Sequence, residues 1–181
     1  MAKVLIPLAN GCEEIEAVTL IDLLRRAGID VVVAGLQPGV VTASRGVRFI
    51  PDVTLDEALN SDYDMVALPG GMPGAAHLKN DPRIITLLQK MAAAGKYTAA
   101  ICAAPMVLAE AGLLEGKQAT SYSGFLDAYP GVVLSSAAVV QDGTVLTSRG
   151  PGTAMDFALT LIEVLTDAAK REQVEAALLR P

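Results

Sequence analysis

The feature that most constrains this chain is a set of short apolar runs separated by segments of helical period. "KVLIPLA" (3–9), "IDVVVAGL" (29–36), "YDMVALPGG" (63–71) and "YTAAIC" (97–102) are aliphatic and nearly free of polar interruptions. A strand with one wet face alternates polar and apolar residues. Uninterrupted runs of this length suit strands covered on both faces, as in a parallel sheet. Between them, "EEIEAVTLIDLLRRAG" (13–28) ends in Arg-Arg and Gly, and "DPRIITLLQKMAAAG" (81–95) opens on Asp-Pro and closes on Gly. These are helix start and stop signals. The alternation predicts an α/β sandwich on a mostly parallel, doubly wound sheet with helices on both faces.

Two stretches depart from that rhythm. "GVVTASRGVRFIPDV" (39–53) alternates like an antiparallel hairpin, and "SSAAVVQDGTVLTS" (135–148) carries an Asp-Gly turn between two strand-like runs. A helix is expected behind Pro151, and "AAKREQVEAALLR" (168–180) reads as a terminal helix. There is no internal repeat, linker or low-complexity segment, so one domain over residues 1–181 is the simplest account. Aromatic residues make up 4% and Trp is absent, so the core must be aliphatic. A net charge of −6 argues against a nucleic-acid footprint. "MAKVLIPLANG" is too short for a signal peptide or membrane span. Two cysteines do not make a disulfide scaffold, which points to a cytoplasmic protein with reduced thiols. A single histidine gives no basis for a metal cluster, and neither metal nor cofactor is expected.

Ligands of open α/β sheets sit at the carboxyl ends of the strands, where Cys102 falls. Ala103 and Ala104 follow it and permit a sharp strand–turn–helix elbow. An elbow of this kind pushes the thiol outward and sets it over a helix N-terminus, which favours thiolate. On position alone, an inert buried thiol is an equal reading. "LPGGMPG" (68–74) ends another strand in Gly70 and Gly71, and glycines there let the backbone aim amides at a ligand. The Gly71 and Ala103 amides could together hold an oxyanion, although an ordinary Pro-Gly turn explains the motif too. In "GCEEIEAV" (11–18), Glu13 and Glu14 need no reason beyond the helix macrodipole. Glu16 shares a stripe with Leu20, Leu23 and Ala27, which turns it toward the sheet, where burial would raise its pKa. The alternative is an exposed first-turn glutamate.

With "GCEEIEAV", "IDLLRRAGI", "SRGV", "YDMVALPGG", "AAICAAP" and "LTSRGPGTAMDFAL" together, the chain resembles the ThiJ/PfpI superfamily nearly end to end, in the branch of the Parkinson-disease-associated deglycase. The resemblance implies a flavodoxin-like three-layer sandwich with added β-hairpins, usually a homodimer. It implies Cys102 as nucleophile, Glu16 as the acid that hydrogen-bonds it, and Gly71 and Ala103 as oxyanion amides, with Gly70, Tyr122 and Pro151 beside the substrate. It further implies a cofactor-independent glyoxalase or deglycase, acting on a small reactive carbonyl or a glycated amine. The alternative is a redox-sensing stress protein or chaperone using the same cysteine without turnover. A cysteine peptidase or amidase is weakened, because the residue after the cysteine is Ala103 where protease-like members carry histidine.

The one histidine, His77, reads as a solvated loop or helix residue, and Tyr122 stands where some members place a histidine. Cys12 could approach Cys102 as a resolving thiol or be simply buried. Asp22, Arg25 and Arg26 fall where the family places dimer contacts, and equally suit a solvated helix face. Arg45 and Arg149, both in "SRG", could reach the site or the dimer seam. Ala43 and Ile50 occupy regions where relatives carry further cysteines.

Overall fold

A computed structural model of the chain describes residues 1–180. Its first half runs β1 (Lys3–Leu8), α1 (Glu14–Arg26), β2 (Asp30–Gly35), β3 (Val41–Thr42), β4 (Arg48–Phe49), β5 (Val53–Thr54), α2 (Leu55–Ala58), β6 (Met65–Leu68), α3 (Gly74–Asn80) and α4 (Pro82–Ala93). The second half runs β7 (Tyr97–Ile101), α5 (Pro105–Glu110), β8 (Gln118–Ala119), β9 (Val133–Leu134), β10 (Val139–Asp142), β11 (Val145–Ser148), a 3₁₀ turn at Pro151–Thr153, α6 (Ala154–Leu165) and α7 (Ala168–Ala177).

Seven strands form the main sheet in the order β10-β11-β7-β6-β1-β2-β5, and all pairs are parallel except β10 with β11. The central order β2-β1-β6-β7-β11 is that of the flavodoxin-like fold. The four apolar runs supply β1, β2, β6 and β7, and three of these are almost wholly buried. Alternate side chains feed two clusters. Val4, Ile6 and Leu8 pack with α1 and α6 on one face, while Leu5, Val66 and Ala100 pack with α2 to α5 on the other. Each fully buried Leu or Ile contributes about 1.5–3 kcal/mol of transfer free energy.

Local chemistry sets the boundaries. Asp81 caps α4 by accepting from the Arg83 amide, with Pro82 at the first helical position. The Asp142-Gly143 turn closes the β10–β11 hairpin as expected. The stretch 39–53 is only partly a hairpin. β3 and β4 pair antiparallel, but Val53 leaves them and joins β2 in parallel at the sheet edge. Among the described residues, no helix is long and apolar enough to cross a membrane.

Candidate active site

The carboxyl ends of β1, β6, β7 and β11 converge on one rim of the sheet, and each contributes part of one site. The chain leaves β7 through Cys102 at φ 65°. That left-handed conformation costs a non-glycine residue on the order of 1–3 kcal/mol. Two main-chain bonds hold it. The Cys102 N–H donates to the Ser148 carbonyl at 2.9 Å, and the Cys102 carbonyl accepts from the Tyr122 N–H at 2.8 Å. Ala103 and Ala104 are small and buried, and Pro105 starts α5, so the elbow passes straight into helix. Pro105 has no N–H to offer. The amides that bond the Cys102 sulfur are those of Ala103 and Gly71.

Glu16 is fully buried on the inward stripe of α1. Its Oε2 accepts from the Gly70 N–H at 2.7 Å. Its Oε1 meets no hydrogen-bond partner in ordinary geometry among the described residues, and the Cys102 thiol is the titratable group that acts on it. Burial pushes Glu16 up to about 7, against the opposing pull of the Gly70 amide and of Cys102. With Glu16 ionised, burial and then the carboxylate charge push Cys102 up to about 12, against the Ala103 and Gly71 amides. The amides of the elbow, which favour thiolate, are thus opposed by burial and by the acid in its charged form. A shared proton decides the state of the sulfur. Moving it to Glu16 removes the carboxylate charge and turns the hydrogen bond into a donor toward sulfur.

Gly70 has to be glycine. A Cβ there would lie 2.7 Å from the Cys102 Cβ and 2.8 Å from the Glu16 Oε2. Its amide is committed to Glu16 and its carbonyl accepts from the Glu13 N–H at 2.9 Å. Gly70 therefore positions the acid and has no free amide for a substrate oxygen, which corrects its expected role. Gly71, at φ 88°, packs so closely that a Cβ would sit 2.3 Å from the Glu13 nitrogen.

Glu14, read from the sequence as a helix-dipole acid, does more. It is 7% exposed and accepts from the Ser44 hydroxyl at 2.9 Å and from the Arg45 amide. Burial alone would raise it, but bonds from its own amide, Ser44, Arg45 and Val47 hold it below the ordinary carboxylate range. It thereby ties the turn between β3 and β4 to the start of α1. No periodicity signals this, because the partner turn lies 30 residues away.

Tyr122, whose N–H bonds the Cys102 carbonyl, and Pro151 line one cleft of about 390 Å³, together with Ser123, Arg149 and Thr153, and Cys102 itself does not line it. Tyr122 is 54% exposed and stands edge-on to Phe125. The far wall is held by Ser148 and Thr153, whose hydroxyls lie 2.7 Å apart, while Ser148 Oγ donates to the Ala138 carbonyl at 2.8 Å. Sequence reading did not single out these two residues. The only available signal was the register of β11, which puts Ser148 at the strand end.

His77 lies exposed on α3 and lines a separate crevice with Asn10 and Val40. Cys12 is a free thiol, 1% exposed, and burial and then the Glu14 charge push it up to about 12. Arg25 pairs with Asp52 and Arg26 with Asp22, each at 2.9 Å and about half exposed, so each contributes roughly 0.2–1 kcal/mol. Among the described residues no group of three or more His, Cys, Asp or Glu could hold a metal ion.

The chain is 42% identical over 180 residues to Protein DJ-1 homolog A of Arabidopsis thaliana, covering 97% of this chain and 46% of that protein, so it spans about half that relative's length. It is 35% identical over 182 residues to the glutathione-independent glyoxalase DJR-1.2 of Caenorhabditis elegans, covering 99% of this chain and 94% of that one. The solved structure of oxidized Toxoplasma gondii DJ-1 superposes with a TM-score of 0.95 at 42% identity, covering 99% of this chain and 98% of that one. The model of the DJ-1/PfpI family matches residues 2–164, and the chain belongs to that family.

Proposed function

We propose that the protein, a single domain over residues 1–181, is a cofactor-independent glyoxalase that also releases early glyoxal adducts from amines, with Cys102 as nucleophile and Glu16 as its proton carrier. The observation that carries this reading is the buried Glu16 carboxyl, pushed up to about 7 with an unpartnered oxygen, coupled to a thiol on a strained elbow. A base with a pKa near the working pH balances availability against proton affinity. The name of the Caenorhabditis elegans relative supports the substrate class.

The steps balance as follows. The Cys102 sulfur attacks the aldehyde carbon of methylglyoxal as its proton passes to Glu16. The developing oxyanion is held by the Gly71 and Ala103 amides, each worth roughly 3–4 kcal/mol in such a role. Glu16 returns the proton to that oxygen, giving a hemithioacetal. The carboxylate then removes the proton from the same carbon, giving an enediolate, and delivers it to the neighbouring carbon, while the hydroxyl proton moves to the former carbonyl oxygen, which yields the thioester of lactate. Water releases lactate, and the sulfur leaves with a proton. A glycated amine enters as a hemiaminal.

Exposed apolar side chains around the start of α1 and the β3–β4 hairpin, with Ile15 at 56%, Val18 at 47%, Val47 at 47% and Ile50 at 86%, support a homodimer through that face. The second reading, a redox switch or chaperone without turnover in the cytoplasm, is favoured by the same acid-paired thiol. Lactate measured from methylglyoxal by wild type, Cys102→Ser and Glu16→Gln decides between them. Turnover lost in both variants supports the enzyme, and absence of lactate from the wild type supports the switch.

A further inference from the structure

The cleft beside Cys102 is larger than a three-carbon dicarbonyl requires. Its volume of about 390 Å³ holds roughly a dozen water-sized groups, whereas methylglyoxal has five heavy atoms. Cys102 does not line it, but the main chain ties one lining residue, Tyr122, and the residue before Arg149, Ser148, to Cys102. The Tyr122 N–H bonds the Cys102 carbonyl, and the Ser148 carbonyl bonds the Cys102 N–H. The two walls also approach each other, because a Cβ on Gly150 would lie 3.4 Å from the Tyr122 ring.

Its charge is lopsided. No acidic side chain lines it, and Arg149 is its one cation. In a chain of net charge −6, Arg149 forms no ion pair among the described residues. Its guanidinium makes one long hydrogen bond, to the Ser136 carbonyl at 3.3 Å. A guanidinium has five N–H donors in a fork matched to carboxylate and phosphate, so most remain free. The loop that carries it is held still. Thr153 Oγ1 bonds the Ser148 hydroxyl at 2.7 Å and accepts from the Gly150 N–H at 3.2 Å.

We propose that this cleft is a subsite for an anionic substituent, carboxylate or phosphate, on the carbonyl substrate, with Arg149 as its specificity-determining cation and Ser148–Thr153 as the pair that fixes its rim. The inference rests on the reading that Cys102 attacks carbonyl carbons. It adds that the preferred substrates are 2-oxoaldehydes or hemiaminals with a negative group a few bonds from the reacting carbon. Because Arg149 is exposed, the preference is modest and screened by salt.

The test compares kcat/KM within matched pairs. 4,5-Dioxopentanoate against 2-oxopentanal reads the carboxylate arm, and 3-phosphooxy-2-oxopropanal against hydroxy-2-oxopropanal reads the phosphate arm. In wild type the anionic member should win by about two- to fivefold at low ionic strength, through KM, and less at high salt. Arg149→Gln should bring the ratio close to one, and Arg149→Lys should keep part of it. Thr153→Val should shrink the ratio through KM, and Thr153→Ser should restore it. A wild-type ratio at or below one in both arms, or a ratio that Arg149→Gln leaves intact, overturns the subsite. Should no 2-oxoaldehyde be turned over, the catalytic reading fails but the subsite is still measured. The rate at which iodoacetate labels Cys102, divided by that for iodoacetamide, should fall several-fold in Arg149→Gln. An unchanged labelling ratio overturns the proposal by that route.

Discussion

The two cysteines of this chain share a level of protonation and differ in what stands beside them. Burial pushes both thiols up to about 12. Each has a glutamate as its second influence, Glu14 for Cys12 and Glu16 for Cys102. The Glu14 carboxylate is already satisfied by the turn at Ser44 and Arg45 and is held below the ordinary range, so it does not take a proton at neutral pH. The Glu16 carboxyl is pushed up to about 7 and touches the thiol. Cys12 is 1% exposed, whereas Cys102 is 9% exposed on a left-handed elbow. A buried thiol becomes useful through a neighbour able to accept its proton and a backbone that brings it to the surface.

The largest effect that could break this comparison is the loss of either sulfur. Cys102→Ser should lower lactate formation from methylglyoxal at least about a thousandfold, as expected for removal of a nucleophile. Cys12→Ala should change it less than about twofold, since burial keeps that thiol from substrate. A comparable loss in both, followed by proton NMR of lactate, would mean that the two thiols act together.

The acid comes next. Glu16→Gln should cost about 10²- to 10³-fold in kcat. Wild-type kcat/KM should rise as pH passes through about 7, where Glu16 becomes a carboxylate, and the variant should lack that limb. Stability should show the same group with a definite sign. An unfolded Glu16 loses its proton near its ordinary 4.5, while the folded one keeps it to about 7. The folded chain therefore binds more protons between these values, and stability falls as pH rises across that window, by roughly 3 kcal/mol. Glu14 acts oppositely and lower. Held down in the folded state, it contributes stability present at neutral pH and lost on acidification. Urea unfolding at pH 5 and pH 8 should thus show the wild type losing more stability than Glu16→Gln. Equal slopes would place Glu16 among ordinary solvated acids.

How far the sequence reaches follows the range of the interactions. The sheet was legible because near-continuous burial leaves an apolar run in each strand, and Asp81-Pro82 and Asp142-Gly143 act within two or three residues. The inward turn of Glu16 was legible from helical period alone. What stayed hidden depends on contacts across the fold. Glu14 meets Ser44 at a separation of 30 residues, and Gly70 meets Glu16 at 54. The protonation of Cys102 depends on such contacts as well. A helix start can be read locally, but burial comes from the whole fold and the facing carboxylate comes from α1, another part of the chain.

The smallest predicted effects separate the two thiol neighbourhoods by a single methyl group each. A Cβ on Gly70 would lie 2.7 Å from the Cys102 Cβ and 2.8 Å from the Ile101 carbonyl, and one on Gly74 would lie 2.5 Å from the Cys12 nitrogen. Both sites are backed by main chain, so neither can yield cheaply, and Gly70→Ala and Gly74→Ala should each cost about 1–3 kcal/mol of stability. At a few degrees of Tm per kcal/mol in a chain of this size, thermal unfolding should show similar drops of roughly 3–10 °C. Their kinetics should part. Gly70→Ala pushes directly on the sulfur-bearing carbon and on the acid's Oε2, so its kcat should fall about tenfold further than that of Gly74→Ala, which crowds the buried Cys12. Matched losses of both stability and kcat would mean that the rim moves as one rigid body, and that the distinction between the two cysteines lies in exposure alone.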